Sequence, residues 1–212
     1  MMSEAGATGN RRLGILISGR GSNLQAILDA IADGRLDAEV AVVVSNRPEV
    51  AGLARARAAG VESLFVDPRS FDSREAFDLA LVSELKARGA GLVCLAGFMR
   101  LLSREFVFAF PNAILNIHPS LLPSFPGLDA PGQALAHGVR MSGATVHIVT
   151  PELDAGPIVR QAVVEVRGDD TAETLADRIL VEEHRIYPDA IAALLRSEWR
   201  LDGRRFVEDP RS

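Results

Sequence analysis

Asn116 and His118 stand two residues apart at the end of the aliphatic run Ala113-Ile114-Leu115-Asn116-Ile117, just before Pro119. The turn pair Pro111-Asn112 precedes the run and a proline closes it, so it reads as a short buried strand. Side chains alternate along a strand, which puts the Asn116 amide and the His118 imidazole on one face. In open α/β sheets, ligands gather at the carboxyl ends of strands. An amide that donates to an oxyanion, beside an imidazole that moves a proton, is equipment for acyl chemistry. A plainer role also fits: a capping asparagine and a hydrogen-bonded histidine at a polar strand end. The pair alone does not separate the two.

Two further stretches could bind a ligand. Gly19-Arg20-Gly21-Ser22-Asn23 leads into Leu24, Ile27, Leu28 and Ile31, a helical spacing with Ser22 or Asn23 as cap and Gly34 as stop. A glycine-rich turn at a helix start offers backbone N–H groups and a favourable dipole to an anion. The turn lacks the Gly-Lys-Ser/Thr ending of a Walker A loop, and Leu24 stands where a dinucleotide fingerprint has its third glycine. The next strand, Val40 to Val44, ends in Ser45-Asn46, with no acidic residue for a ribose diol. A phosphate site for a mononucleotide-like substrate is one reading, and a tight strand-to-helix turn is the other. Gly97-Phe98-Met99-Arg100-Leu101-Leu102 has apolar residues suited to a flat organic ligand and an arginine suited to a carboxylate or phosphate. Alternatively, that loop packs on the core with a solvated Arg100.

The elements that must position these residues follow from the apolar pattern. Strands are expected at Leu13 to Ser18, Val40 to Val44, Val61 to Val66, Gly91 to Ala96 and Ala113 to Ile117, with helices at Gly52 to Ala59 and Asp72 to Ala87 between them. Such alternation predicts a single α/β domain with a doubly wound, mostly parallel sheet. Past Pro119, Pro123, Pro126 and Pro131 the chain enters a short helix, Gln133 to Ala136, and then turns β-rich. Arg140 to Thr150 and Pro157 to Val166 predict an antiparallel C-terminal extension, joined by a tight loop with Asp154 near its tip. Asp170 and Glu173 read as a capping box for a last helix with Leu175, Ile179 and Ile186 inward, which Pro188 should break or kink. From Glu198 the chain is charged and suggests a small terminal hairpin, and residues 1–11 read as a disordered N-terminal tail before a domain over 12–212.

With 212 residues and 48% hydrophobic content, the chain suits one well-packed α/β domain. A net charge of −5 argues against general affinity for nucleic acid or an anionic membrane. The one cysteine, Cys94, lies in an apolar run and reads as a core thiol. No apolar run approaches the ~20 residues of a membrane helix, and a cytoplasmic location is expected. His137 looks like a helix-end residue, and His147, inside Thr145-Val146-His147-Ile148-Val149, reads as structural rather than catalytic. His184 with Glu182 and Glu183 matches no metal spacing, and no metal is expected.

Four segments occur in order: Ser18-Gly19-Arg20-Gly21-Ser22-Asn23-Leu24-Gln25, Ala96-Gly97-Phe98-Met99-Arg100, Leu115-Asn116-Ile117-His118-Pro119-Ser120-Leu121-Leu122-Pro123, and Leu153-Asp154-Ala155-Gly156-Pro157. Over residues 12–195 the chain closely resembles the phosphoribosylglycinamide formyltransferases, folate-dependent enzymes of purine synthesis. The His-Pro-Ser-Leu-Leu-Pro segment with the downstream Leu-Asp belongs to formyltransferases widely. The Ser-Gly-Arg-Gly-Ser-Asn start and the segment Glu182 to Pro188 narrow the resemblance to this group.

The resemblance implies transfer of a formyl group from 10-formyltetrahydrofolate, as cosubstrate, to the amine of glycinamide ribonucleotide. It implies a catalytic trio of Asn116, His118 and Asp154. Gly21, Ser22, Asn23 and Glu183 would meet the ribonucleotide. Arg74, Met99, Arg100, Leu101, Leu102, Asn116, Thr150, Pro151, Glu152, Leu153 and Asp154 would line the folate site. On residue type alone, Arg74 and Glu183 are charges on helical faces, where solvation is usual. Asp129 and Pro131 stand where relatives often carry histidines, and Ser124 where a basic residue is frequent, departures that bear on substrate affinity and pH profile rather than on the chemistry. Partners are expected to be the two small molecules, with a monomer or homodimer. Rival readings are methionyl-tRNA formyltransferase, formyltetrahydrofolate deformylase and a non-catalytic folate or nucleotide binder. The first is disfavoured by a short acidic chain, the second by a first strand at Leu13, and the third by the presence of the whole trio.

Overall fold

Nine strands form one sheet in the order β3-β2-β1-β4-β5-β6-β7-β9-β8 among the described residues. The computed structural model describes residues 10–196 and 199–208. The expected N-terminal tail lies outside the described residues except for Asn10 and Arg11. Asn10 donates from Nδ2 to the Gly89 carbonyl at 2.8 Å, and Arg11 pairs with Asp37.

The parallel half consists of β1 (Arg12–Ile17), β2 (Glu39–Ser45), β3 (Ser63–Phe65), β4 (Leu92–Leu95) and β5 (Ile114–His118). The helices between them are α1 (Ser22–Ala32), α2 (Ala51–Ala58), α3 (Arg74–Ala87) and α4 (Arg104–Ala109). β1 pairs with β2 on one side and β4 on the other, both parallel, so the winding reverses between β1 and β4. A crevice at that switch point is where this architecture binds ligands. Both sides of β1 are buried, which is why its apolar residues run without alternation.

The rest of the sheet is built by α5 (Ala130–Ala136), β6 (Met141–Ile148), β7 (Ile158–Glu165), α6 (Ala172–Leu195), β8 (Trp199–Asp202) and β9 (Arg205–Glu208). β6 runs antiparallel to β5 and to β7, and β8 and β9 form the expected terminal hairpin. The doubly wound, mostly parallel sheet with an antiparallel C-terminal extension is the architecture expected from the sequence.

Two local readings change at α6. The cap is Thr171, whose side chain exchanges hydrogen bonds with Thr174, rather than an Asp170–Glu173 box. Asp170 is engaged elsewhere, accepting from both terminal guanidinium nitrogens of Arg178. Pro188 does not break the helix, which runs on to Leu195. A mid-helix proline costs about 3 kcal/mol. Burial of Ile186, Tyr187 and Ile191 offsets it, at about 1.5–3 kcal/mol for each large apolar side chain. Tyr187 also anchors the helix to the sheet, its hydroxyl lying 3.0 Å from the Leu95 carbonyl oxygen and 3.1 Å from that of Leu115.

Candidate active site

Strand β5 ends at His118, and its antiparallel register sets Asn116 opposite His147 and His118 opposite Thr145. The Asn116 Nδ2 lies 3.2 Å from His147 Nε2. His147 Nδ1 lies 3.1 Å from the Ile148 carbonyl oxygen, which only accepts, so Nδ1 carries the proton and Nε2 receives the Asn116 amide. That bond uses one amide N–H and leaves the second for another acceptor. His147, read from sequence as structural, therefore belongs to the cluster. Its signal was the β5–β6 register, which no residue pattern within β6 discloses.

His118 is 5% exposed and both its ring nitrogens face acceptors. Nε2 donates to the Phe125 carbonyl at 2.8 Å, and Nδ1 lies 3.5 Å from Asp154 Oδ2. A ring protonated on both nitrogens satisfies this arrangement. Asp154 Oδ2 also accepts the Gly127 N–H at 2.8 Å, and Oδ1 lies 3.7 Å from His147 Nε2. Burial pushes the Asp154 carboxyl up, but the Gly127 N–H and the His118 charge favour its ionised form, and the carboxyl stays below its ordinary value. The tight β6–β7 connection makes this approach possible. A Cβ on Gly156 would sit 1.7 Å from the Ile148 carbonyl oxygen, so glycine is required where the chain turns back.

At the switch point, the residue preceding α1 is Gly21, at φ 72, with no side-chain cap on the helix. This replaces the expected Ser22 or Asn23 cap and leaves the first-turn N–H groups uncovered by side chains. Gly21 packs on Gly52, so a Cβ on Gly21 would meet Gly52 Cα at 2.6 Å, and the Gly52 N–H donates to the Gly19 carbonyl at 3.1 Å. Ser22 opens α1. Asn23 turns its amide to Glu183 Oε2 at 2.8 Å, and both residues are buried. Glu183 is thus far from the solvated charge its residue type suggested. Burial pushes its carboxyl up, against the Asn23 hydrogen bond.

The loop after β4 lies beside this turn. Ser18 Oγ accepts the Met99 N–H at 2.8 Å and donates to Asn46 Oδ1 at 2.6 Å. Met99, Leu101 and Leu153 are large apolar side chains left exposed at this end of the sheet. Leu102 is half-buried and Arg100 lies over the Phe77 ring, 5.0 Å from its centre. Arg74 opens α3, exposed and paired with Glu75 at 3.3 Å. Thr150 is half-buried beside the exposed Pro151 and Glu152. Exposed apolar surface flanked by two arginines fits a flat heterocycle with an acidic tail.

The unusual residues near the site have local structural work. Asp129, at φ 52, caps α5 by accepting the Gly132 N–H at 3.3 Å, and Pro131 lies in the helix's first turn. His137 donates from Nδ1 to the Gln133 carbonyl at 3.0 Å. Cys94 is buried, and burial pushes its thiol up, away from the reactive thiolate. No cluster of three His, Cys, Asp or Glu suited to a metal occurs among the described residues.

Residues 11–191 match the family described as formyl transferase. The chain belongs to the formyl transferase family. Its similarity to the phosphoribosylglycinamide formyltransferase of Escherichia coli (strain K12) is 45% identity over 190 residues, covering 90% of this chain and 87% of that one. The crystal structure of glycinamide ribonucleotide transformylase 1 from Symbiobacterium toebii superposes with a TM-score of 0.93, at 55% identity and 94% coverage of both chains. The trifunctional purine biosynthetic protein adenosine-3 of Drosophila melanogaster is 47% identical over 187 residues, but the chain spans only 14% of its length. Within a formyl transferase, a spare amide N–H, an imidazole and a carboxylate at one strand end can stabilise an oxyanion and move a proton.

Proposed function

We propose that this chain transfers the formyl group of 10-formyltetrahydrofolate to the amine of N1-(5-phosphoribosyl)glycinamide in purine biosynthesis. The observation that carries the reading is the convergence of Asn116, His118 and Asp154 at the end of β5, on the same carboxyl-end side of the parallel strands as a glycine turn whose helix N–H groups suit a phosphate. The name and near-complete coverage of the Escherichia coli relative support the same substrates.

Each residue has a task in this reading. Gly21, Ser22 and Asn23 cradle the ribonucleotide phosphate, and Glu183 meets the ribonucleotide from α6. Met99, Leu101, Leu102 and the 150–153 loop hold the folate ring system, and Arg74 and Arg100 meet its carboxylates. Asn116 offers its free N–H to the oxyanion that forms as the amine adds to the formyl carbon, and protonated His118 supplies positive charge. Asp154 holds the imidazole and helps carry the amine proton to the folate nitrogen, directly or through water. The amine attacks the formyl carbon itself, with no covalent link to the protein.

The partners are two small molecules and not nucleic acid, the protein acts in the cytoplasm, and it works as a monomer or homodimer. No helix among the described residues is long and apolar enough to cross a membrane. The test is tetrahydrofolate release from 10-formyltetrahydrofolate with and without the ribonucleotide. Release that requires the ribonucleotide supports the reading. Equal release without it makes the chain a deformylase, and no release with intact binding makes it a binding protein.

A further inference from the structure

The loop between β4 and α4 is gripped at both ends, and the second grip involves a residue outside the trio and both substrate sets. At its start, Ser18 N donates to the Gly97 carbonyl at 3.0 Å and Ser18 Oγ accepts the Met99 N–H. At its end, Asp78 Oδ2 accepts the Ser103 N–H at 2.5 Å, and Ser103 in turn caps α4 through the Phe106 N–H at 3.3 Å. Asp78 lies on α3 and is 0% exposed. Arg74 precedes it by four residues on the same helix, a spacing that shares one face. Arg100, between the two grips, rests over Phe77, the neighbour of Asp78 in sequence. Asp78 Oδ1 and Arg100 Nε are enclosed and have no hydrogen-bond partner among the described residues, an acceptor and a donor of matching kind.

We propose that Asp78 is a positioning residue for the folate side of the site, fixing the 97–103 loop on α3 and setting Arg74 and Arg100 as a pair. A buried carboxylate is costly unless opposite charge and N–H donors face it. Here the Ser103 N–H and the two arginines are those groups, and burial still leaves the Asp78 carboxyl above its ordinary value. The cost of the buried charge is explained if it holds the one loop that presents Met99, Arg100, Leu101 and Leu102 together. Asp78 touches no substrate. It acts through Ser103 and Arg100.

This role presupposes the formyl-transfer reading, so its test has an arm that needs no turnover. Asp78→Asn keeps the shape and one acceptor oxygen but removes the charge that strengthens the Ser103 bond. Ser103→Pro removes the N–H donor from the other side, together with the hydroxyl that caps α4, at a φ of −73 that proline accepts. In each variant, the KM for 10-formyltetrahydrofolate is expected to rise about tenfold, the size of one lost charge-assisted bond, while the ribonucleotide KM and kcat stay within about twofold. Amide exchange is expected to quicken in the 97–103 loop but not in α1. Combined with Arg100→Ala, Asp78→Asn should add little further loss, because both act through one group. An unchanged folate KM, equal rises in both KM values, or additive effects in the double variant overturn the proposal. If the wild type transfers no formyl group, the functional reading fails by itself, and unaltered loop exchange in the variants then overturns the Asp78 assignment separately.

Discussion

His118 Nε2 donates at 2.8 Å to the carbonyl of Phe125, a residue held at φ 55. The imidazole is therefore aimed by backbone on the Pro-rich loop, while Asp154 meets the same ring from the β6–β7 connection. Gly127, two residues past Phe125, gives its N–H to Asp154. One loop thus sets both partners of the pair, and its conformation is part of the site.

His147 should matter to turnover although it lies across the strand pair from the trio. His147→Ala removes the acceptor that orients the Asn116 amide. Misplacing a catalytic group by about 1 Å costs on the order of 10²-fold, so kcat is expected to fall by about 10–10²-fold with smaller changes in either KM. Steady-state kinetics on both substrates checks this, and an unchanged kcat would return His147 to a structural role.

Gly21→Val places a branched side chain at φ 72 against Gly52. Such strain costs about 1–3 kcal/mol and blocks close approach of the backbone to an anion. The ribonucleotide KM is expected to rise about tenfold or more and the folate KM by much less. Equal effects on both substrates would remove the phosphate assignment.

Glu183 carries a testable pH signature. Burial holds its folded carboxyl above its ordinary value, so the folded state holds the proton more tightly. Its contribution is fully present below 4.5 and declines as pH rises through the higher folded value. Glu183→Gln keeps an acceptor for Asn23 and removes the ionisation. At neutral pH, the variant should be no less stable to urea than the wild type, yet bind the ribonucleotide more weakly. A marked loss of stability at neutral pH would contradict the burial argument.

Asp170 should behave in the opposite sense. Its hydrogen bonds from Arg178, the Arg167 N–H and Thr174 hold its carboxyl well below its ordinary value. The stability it contributes is present above 3.8 and is lost as pH falls through the depressed folded value. Asp170→Asn should therefore lower Tm at neutral pH, with the gap to wild type closing in strong acid. A gap independent of pH would mean that shape, not charge, holds the start of α6.

The fold was legible because short apolar runs ending in glycine or proline turns mark parallel strands, as Leu13 to Ser18 and Gly91 to Ala96 do. Asn116 and His118 were legible for the same reason: alternation along one strand fixes their common face. What sequence does not carry is how separate elements meet. His147 joins the cluster through the β5–β6 register, and Glu183 becomes buried because α6 lies against α1 beside Asn23. At α6, Asp170 is taken by Arg178, so Thr171 caps the helix in its place. Pro188 sits inside an unbroken helix because its neighbours are packed in the core.

The Asn116–His118–Asp154 cluster is proposed to move a formyl group to an amine. The most direct measurement follows a formyl label from 10-formyltetrahydrofolate into the ribonucleotide, with wild type and Asp154→Asn side by side. Asp154→Asn keeps the shape but loses the charge beside His118 Nδ1. Labelled ribonucleotide is expected from the wild type, and a kcat lower by on the order of 10²–10⁴ in the variant, with both substrates still bound at near-normal affinity. Near-normal label transfer by Asp154→Asn, with its fold intact, would contradict the proposal.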